Sequence, residues 1–523
     1  MPLIQGTNQW YEEIRLMAQG TVVSQPAEVS DPGSTRNSDW WHEHDDELCQ
    51  IPGRLLRLNL TNKYVRGLFE WVRKDNSRIF IAHCGNEVYR SSDGITWTLF
   101  HMQAIDTAEQ VTYDIVMPDD ILMWADGVNV VATYDGTTVA PLALPIGVTN
   151  ARIVRYFKAR TILVDVVSDG VRERQRIWWS QPLEHNLWDS VEGANFTDYA
   201  EGGGGVLQAV IFNDSLVLFK ESRLGVLNHT AATLDVPFRL SDFAQQPGTI
   251  YPFSVVVSPR GILYFTPDGV RQFDGERTIL VTGKTGLQMT TVPLTERNQV
   301  TAVWDARRLR YLLATSSPQH RYNCVLWEVH FDESELSQLL RKATVYKRSQ
   351  NVTAMEYVYY DRPYKFNMLV CKFSEMGVEF DDPVVVASVP VLLSGNGDGD
   401  LFEHEVTAVP DAVPYIELGP FPKDPLPTAQ LSKRLSVIRL RASKHYNSVV
   451  QVQVRPLHRE DWVTLRNVNF GVYEDGETVE ISADGIEGEQ FYVRFVRIAG
   501  QPCLVNCLLM GTTLANVRRT RAA

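Results

Sequence analysis

Few residues in this chain are spaced to do chemistry. Residues 91–97 read SSDGITW, the pattern S-x-D-G-x-T-W. In that order Asp93 can accept backbone N–H groups inside a turn, Gly94 supplies a positive φ, and the Trp97 ring packs on the next strand. Ser91, Asp93, Gly94 and Trp97 are therefore read as a structural turn that staples a hairpin. Sialidases carry the same box, together with an Arg-Ile-Pro near the start of their propeller. Here the match is Gln50-Ile51-Pro52, without the arginine, and no trio of strand-end arginines with a paired Tyr and Glu stands out.

Other clusters read as scaffold. His42 and His44 lie two apart among acids in WHEHDDE, with no HExxH, so a solvated acidic tail is expected. Asn396, Asp398 and Asp400 have calcium-loop spacing, but the required sixth-position glycine is Leu401, which predicts a turn. The loop of Glu201 and Gly202, Gly203, Gly204 and Gly205 lacks the Lys-Ser/Thr of a phosphate loop and is a candidate channel or gate loop. No GxSxG flank is present. Six cysteines are scattered without CxxC or Cys/His zinc spacing, which predicts buried reduced thiols of a cytosolic product; Cys503 and Cys507 share one apolar run. Neither catalytic residues nor a metal or cofactor is expected.

These residues need elements to hold them. The 523 residues are 44% hydrophobic and 22% charged, enough for a large core. No run approaches the roughly 18–20 apolar residues of a membrane span, and the start does not read as a secretory signal. Helical periodicity is confined to 333–343. The rest is short runs of Val, Ile, Leu, Phe, Tyr and Trp broken by Gly, Asp, Asn and Pro, the mark of antiparallel strands.

The runs recur. Apolar strands begin at Ile79, Ile121, Ile162, Leu216, Ile262, Leu312 and Val391, each followed by a turn and most by a second, shorter strand. Spacings of about 40–50 residues with four strands per unit are those of β-propeller blades. The prediction is all-β: a propeller of six or seven four-stranded blades over 51–405, with an insertion around 332–383. A pair of β-sandwiches with coincidental spacing is the alternative. A Pro-rich linker follows at 406–430, then a C-terminal antiparallel β-sandwich at 431–523, where Val450, Val452 and Val454 alternate with polar residues. Trp40-Trp41 and Trp178-Trp179 read as blade packing before partner or sugar binding.

Charge is uneven. The chain carries −13; residues 1–50, an acidic N-terminal segment, hold nine acids and two bases, whereas 431–523 hold thirteen bases and nine acids. An acidic protein does not grip DNA phosphates, because that affinity comes from Lys and Arg releasing counterions. It can still enclose DNA without adhesion. The terminal Arg518, Arg519 and Arg521 are candidate contacts for an acidic partner.

The order of motifs resembles the tail-nozzle, or packaged-DNA stabilisation, proteins of short-tailed bacteriophages. Pro52-Gly53 with Leu56, then Val65-Arg66-Gly67-Leu68 and Val88-Tyr89-Arg90, look like that family's first blade. RIWWSQPLEHNLWDS in the middle, and GTIYPFSVVVSPRG with DGVRQFDG after it, are similar to later family segments. The likeness covers about 48–285 well and the C-terminal third in outline. It implies a virion structural protein of the tail, assembled in the host cytoplasm as a homohexameric ring below the head-to-tail adaptor. Tail needle, spike or fibre proteins would dock nearby, and double-stranded DNA would pass through without specific binding. Alternatives are a receptor- or glycan-binding propeller of a tail spike or fibre, and a sialidase-like glycosidase.

Overall fold

A computed structural model describes residues 9–15, 35–39, 41–44, 47–50, 54–60, 63–230, 236–243, 245–282, 292, 295, 297–306, 308–316, 323–331, 344–364, 385–404, 415–422, 432–443, 448–473, 477–500 and 503–513. The helix expected at 333–343, Pro52, Gly53 and the three terminal arginines lie outside them. Among the described residues the regular structure is β, with short 3-10 turns such as Pro252–Ser254. No helix there is long and apolar enough to cross a membrane.

Seven four-stranded antiparallel blades form the propeller. Blade 1 starts with Val65–Val72, blade 2 with Thr112–Val116, blade 3 with Val148–Phe157 and blade 4 with Gln208–Phe212. Blade 5 starts with Val256–Ser258, blade 6 with Thr301–Asp305 and blade 7 with Ala354–Tyr364. These inner strands touch in a closed cycle, blade 7 against blade 1. The seven repeat starts seen in the sequence all fall in the second strands.

Each second strand is covered on both faces, which explains uninterrupted burial along Gly261–Thr266 and Arg310–Ser316. Seven of the eight apolar clusters bridge adjacent blades. The blade 4–5 cluster alone buries Phe219, Leu224, Ile262, Tyr264 and Phe273, among others. At roughly 1.5–3 kcal/mol per fully buried large side chain, such a cluster outweighs any single ion pair in the ring.

Arg54–Asn59, at the start of the propeller sequence, is the outer strand of blade 7, paired antiparallel with Asp400–His404. The last blade is thus completed by the first strand, and the ring is closed by backbone hydrogen bonds. Gly399 sits at this seam. Its φ is +90°, and a Cβ there would lie 1.8 Å from the Leu60 carbonyl oxygen, whose own N–H donates to Gly399 O at 3.1 Å.

Three expectations need correction. The expected insertion around 332–383 is partly blade: Thr344–Ser349 is the outer strand of blade 6, and Ala354–Tyr364 pairs with Val385–Gly395 in an unusually long hairpin of blade 7. Residues 332–343 and 365–384 lie outside the described residues. The acidic N-terminal segment is no separate tail. Gln9–Arg15 pairs with Cys503–Thr513, Thr35–Asp39 pairs with Tyr415–Phe421, and Trp41–His44 with Glu47–Gln50 forms a hairpin on the same sandwich. The region called a linker contains the sandwich strand Tyr415–Phe421.

The sandwich core holds Val450, Val452 and Val454, all fully buried, opposite Ile438, Leu440 and Leu509. Cys503 lies across from Cys49 in the strand register, while Cys507 is buried in the core and its thiol pKa is pushed up by burial.

Gly399→Ala is expected to cost about 2–4 kcal/mol, through both the left-handed φ and the clash with Leu60. Thermal unfolding of the full chain measures it; an unchanged Tm would mean that the seam is not formed as described.

Candidate functional site

Three places in the propeller gather polar side chains: the junction of blades 1 and 2, the outer turns, and the axis.

At the first, Arg66 of the Val65-Arg66-Gly67-Leu68 segment is completely buried. Its Nε donates to Gly85 O (2.7 Å), and one terminal nitrogen donates to Glu109 O (3.0 Å) and Asp126 Oδ2 (3.0 Å). The other reaches Gln103 Oε1. One guanidinium therefore ties a turn of blade 1, the connection to blade 2, and a turn of blade 2. Burial raises the Asp126 carboxyl, but the Arg66 charge and N–H groups from Asn129 and Val128 outweigh it and lower the pKa. Gly67 is needed beside it, because a Cβ would lie 2.2 Å from Tyr113 Oη. That hydroxyl meets His83 Nδ1 at 2.7 Å. His83 is fully buried against Trp124; burial, then the charges of Arg66 and His101, depresses its pKa well below the ordinary value.

The Asp-box turn joins the third strand of blade 1, Glu87–Ser91, to the fourth, Thr98–Met102. Asp93 Oδ1 accepts from Ile95 N (2.8 Å) and Thr96 N (2.7 Å), Ser91 Oγ accepts from Gly94 N (2.9 Å), and Trp97 Nε1 donates to Gly94 O (3.3 Å). Burial opposes ionisation of Asp93, yet the two backbone donors and Ser91 win and bring its pKa down to about 2. The same turn recurs where sequence reasoning saw only Asp-Gly pairs. Asp135 accepts from Thr137 N and Thr138 N in blade 2, and Asp274 from Glu276 N and Arg277 N in blade 5. The recurrent signal was Asp followed two and three residues later by turn N–H groups, without the flanking Ser and Trp.

The glycine loop 202–205 joins blade 3 to blade 4. Glu221 N donates to Gly203 O at 3.1 Å, and Gly203 and Gly204 lie against Glu221, Ser222 and Arg223, a turn of blade 4. Asn396 Oδ1 caps Asp398 N (3.0 Å) and Asp400 N (2.8 Å) in the blade 7 turn. Among the described residues no group of three or more His, Cys, Asp or Glu is placed to hold a metal.

The axis was not legible in the sequence. All seven blades contribute to a cavity of about 170 Å³. Leu68, Tyr113, Phe253 and Met355 narrow it, and Arg155, Gln208 and Glu356 give it polarity. Arg155 donates to Ala209 O (2.7 Å), Tyr113 O (3.0 Å), Val154 O (2.8 Å) and Gln208 Oε1 (3.1 Å), joining blades 2, 3 and 4. Burial, reinforced by the Glu70 carboxylate, pushes the Glu356 carboxyl up to about 8.

The sandwich presents another constellation. Arg494 lies over Trp462 (4.1 Å) and Tyr415 (4.6 Å), Arg455 over Tyr492 (4.5 Å), and both guanidinium groups face Glu417, at 3.0 and 3.4 Å. Rings and the carboxylate hold these arginines in place.

A scan against protein-family models found no match, and a search of curated proteins found none. Among solved structures, a crystal structure of BBS1N in complex with ARL6DN is similar over 69% of this chain and 99% of that chain, with 12% sequence identity and a TM-score of 0.39. That likeness carries no argument about function.

Asp93→Ala is expected to destabilise blade 1 by about 1–2 kcal/mol by leaving turn N–H groups without an acceptor, read as a lower midpoint in denaturant. An unchanged midpoint would refute the turn's structural role. Glu356 sets a pH signature. Its unfolded carboxyl ionises above the ordinary 4.5, whereas the folded one holds its proton until about 8. This contribution is therefore full below pH 4.5 and is lost as pH rises through 8. Glu356→Gln should stabilise by on the order of 2 kcal/mol at pH 8.5 and by nothing at pH 4.5; a gain independent of pH would show that ionisation is not its cause.

Proposed function

We propose that this chain is a structural protein of a phage virion: a subunit of the tail-nozzle ring that retains and releases the genome below the head-to-tail adaptor. The observation that carries this reading is the role of the residues behind the resemblance. Arg66 and Gly67 lock blades 1 and 2 together. Tyr251 and Ser254, from GTIYPFS, are buried where blade 5 meets blade 6, and Tyr311 donates to Ser254 O at 2.6 Å. Asp274 closes the outer turn of DGVRQFDG. What the chain shares with that family is blade framework, as a load-carrying channel wall requires.

Charge supports the same reading. A surface with net −13 repels phosphates and lets a duplex slide. The passage would be the centre of a homohexameric ring and not the propeller's own axis. A cavity of about 170 Å³ is far too small for a duplex whose major groove alone is about 12 Å wide. Adaptor and tail needle, spike or fibre proteins are the proposed neighbours, with the virion tail as location. One observation favours a second reading, a receptor- or glycan-binding subunit: the arginine–aromatic face of the sandwich around Trp462 has the residue types of binding hot spots.

Native mass spectrometry and electron microscopy of the purified chain, alone and with the adaptor, decide between them. The nozzle reading expects six-fold rings that join the adaptor and do not retain DNA at physiological salt. A persistent monomer that ignores the adaptor and binds a glycan array through Trp462 would replace it with the second reading.

A further inference from the structure

The axial cavity holds a carboxylate that forms no ion pair among the described residues. Glu356, on the inner strand of blade 7, lines it, and only the Tyr357 backbone N–H favours its ionised form. The groups facing it are unhelpful. Glu70, from blade 1, is negative and already takes Arg78 at 2.5 Å and Tyr359 N at 3.0 Å. Tyr113, from blade 2, is neutral, its pKa raised by burial. Arg155 lines the same cavity, but its guanidinium is tied to three carbonyl oxygens and to Gln208.

Two further oxygens complete the setting. The Gln110 amide nitrogen donates to Gln299 O (3.2 Å) and Thr353 O (2.8 Å), which leaves its side-chain carbonyl oxygen as an acceptor. Thr301, which carries a hydroxyl, is also among the lining residues. We infer that the axial cavity is a binding site for one small cation, with Glu356 as its counter-charge and Gln110 and Thr301 as neutral oxygen donors. The one sulfur in the lining is the Met355 thioether, with no thiolate or imidazole, and the charged and neutral donors are oxygens, so the ligand is a hard ion such as Ca²⁺ or Mg²⁺ that keeps some water, or a primary ammonium group with its three donors. The inference does not rest on the nozzle reading; it concerns the inside of one subunit.

The test uses the full chain at pH 6 and pH 9 with CaCl2, MgCl2 and putrescine added separately, read by thermal shift and titration calorimetry. At least one probe should raise the wild-type Tm by several degrees at pH 9, and the probe that does so identifies metal or amine. Its affinity should weaken about tenfold per pH unit as Glu356 takes up its proton. E356Q should abolish the shift and E460Q, an exposed carboxylate in the sandwich, should preserve it. If E356Q does not fold, E356D serves instead and should weaken binding by tenfold or more. The inference is overturned if no probe shifts the wild type at pH 9, or if the Glu356 variant responds as the wild type does.

Discussion

A four-stranded blade with apolar side chains on both faces has no stable existence alone. It must have a neighbour on each side, and that need propagates around the molecule until the last blade meets the first. The seven inter-blade clusters are the physical form of this constraint. Closure by Arg54–Asn59 on Asp400–His404 follows from it: a gap at the seam would expose two apolar faces and an unpaired strand edge at once.

Some buried charges register one blade against another, whereas Arg310 with Asp305 and Glu328 ties strands within blade 6. Arg66 with Asp126 and Arg155 with its three carbonyl oxygens sit where neighbouring blades meet. Such groups add little net energy over an apolar filling, but a misplaced blade would strand them without partners, so they select one arrangement. The hydrophobic clusters supply the stability, and the arginines supply the register. Both serve a rigid wall, which is what the proposed role asks of each subunit.

Much of the propeller was legible because its strands announce themselves locally. Ile79, Ile121, Ile162, Leu216, Ile262, Leu312 and Val391 each lie in a second strand, covered on both faces and so largely apolar. The Asp93 box was legible for a similar reason: all its hydrogen bonds fall within seven residues. What could not be read was long-range pairing. Nothing near Gln9 says that it will lie beside Thr512, nor near Arg54 that it will reach His404, because a polar edge strand looks the same whichever partner it finds. The axis was hidden for the same reason, since Glu356 and Gln110 share a cavity only after seven blades have closed. The sandwich alternation at Val450, Val452 and Val454 showed its fold but not that the acidic N-terminal residues would add strands to it.

The path of the chain has a consequence for biogenesis. From Gln9–Arg15 in the sandwich the chain travels once around the propeller and returns to the sandwich, where Gln9–Arg15 lies against Cys503–Thr513. On a ribosome the earliest residues emerge long before the segment that will receive them. Intermediate blades can stack as they appear, yet the ring stays open and its leading edge sticky until Asp400–His404 has emerged to meet Arg54–Asn59. A nascent chain of this design spends most of its synthesis as an incomplete circle, and a product lacking Cys503–Thr513 would lack the strand that receives Gln9–Arg15.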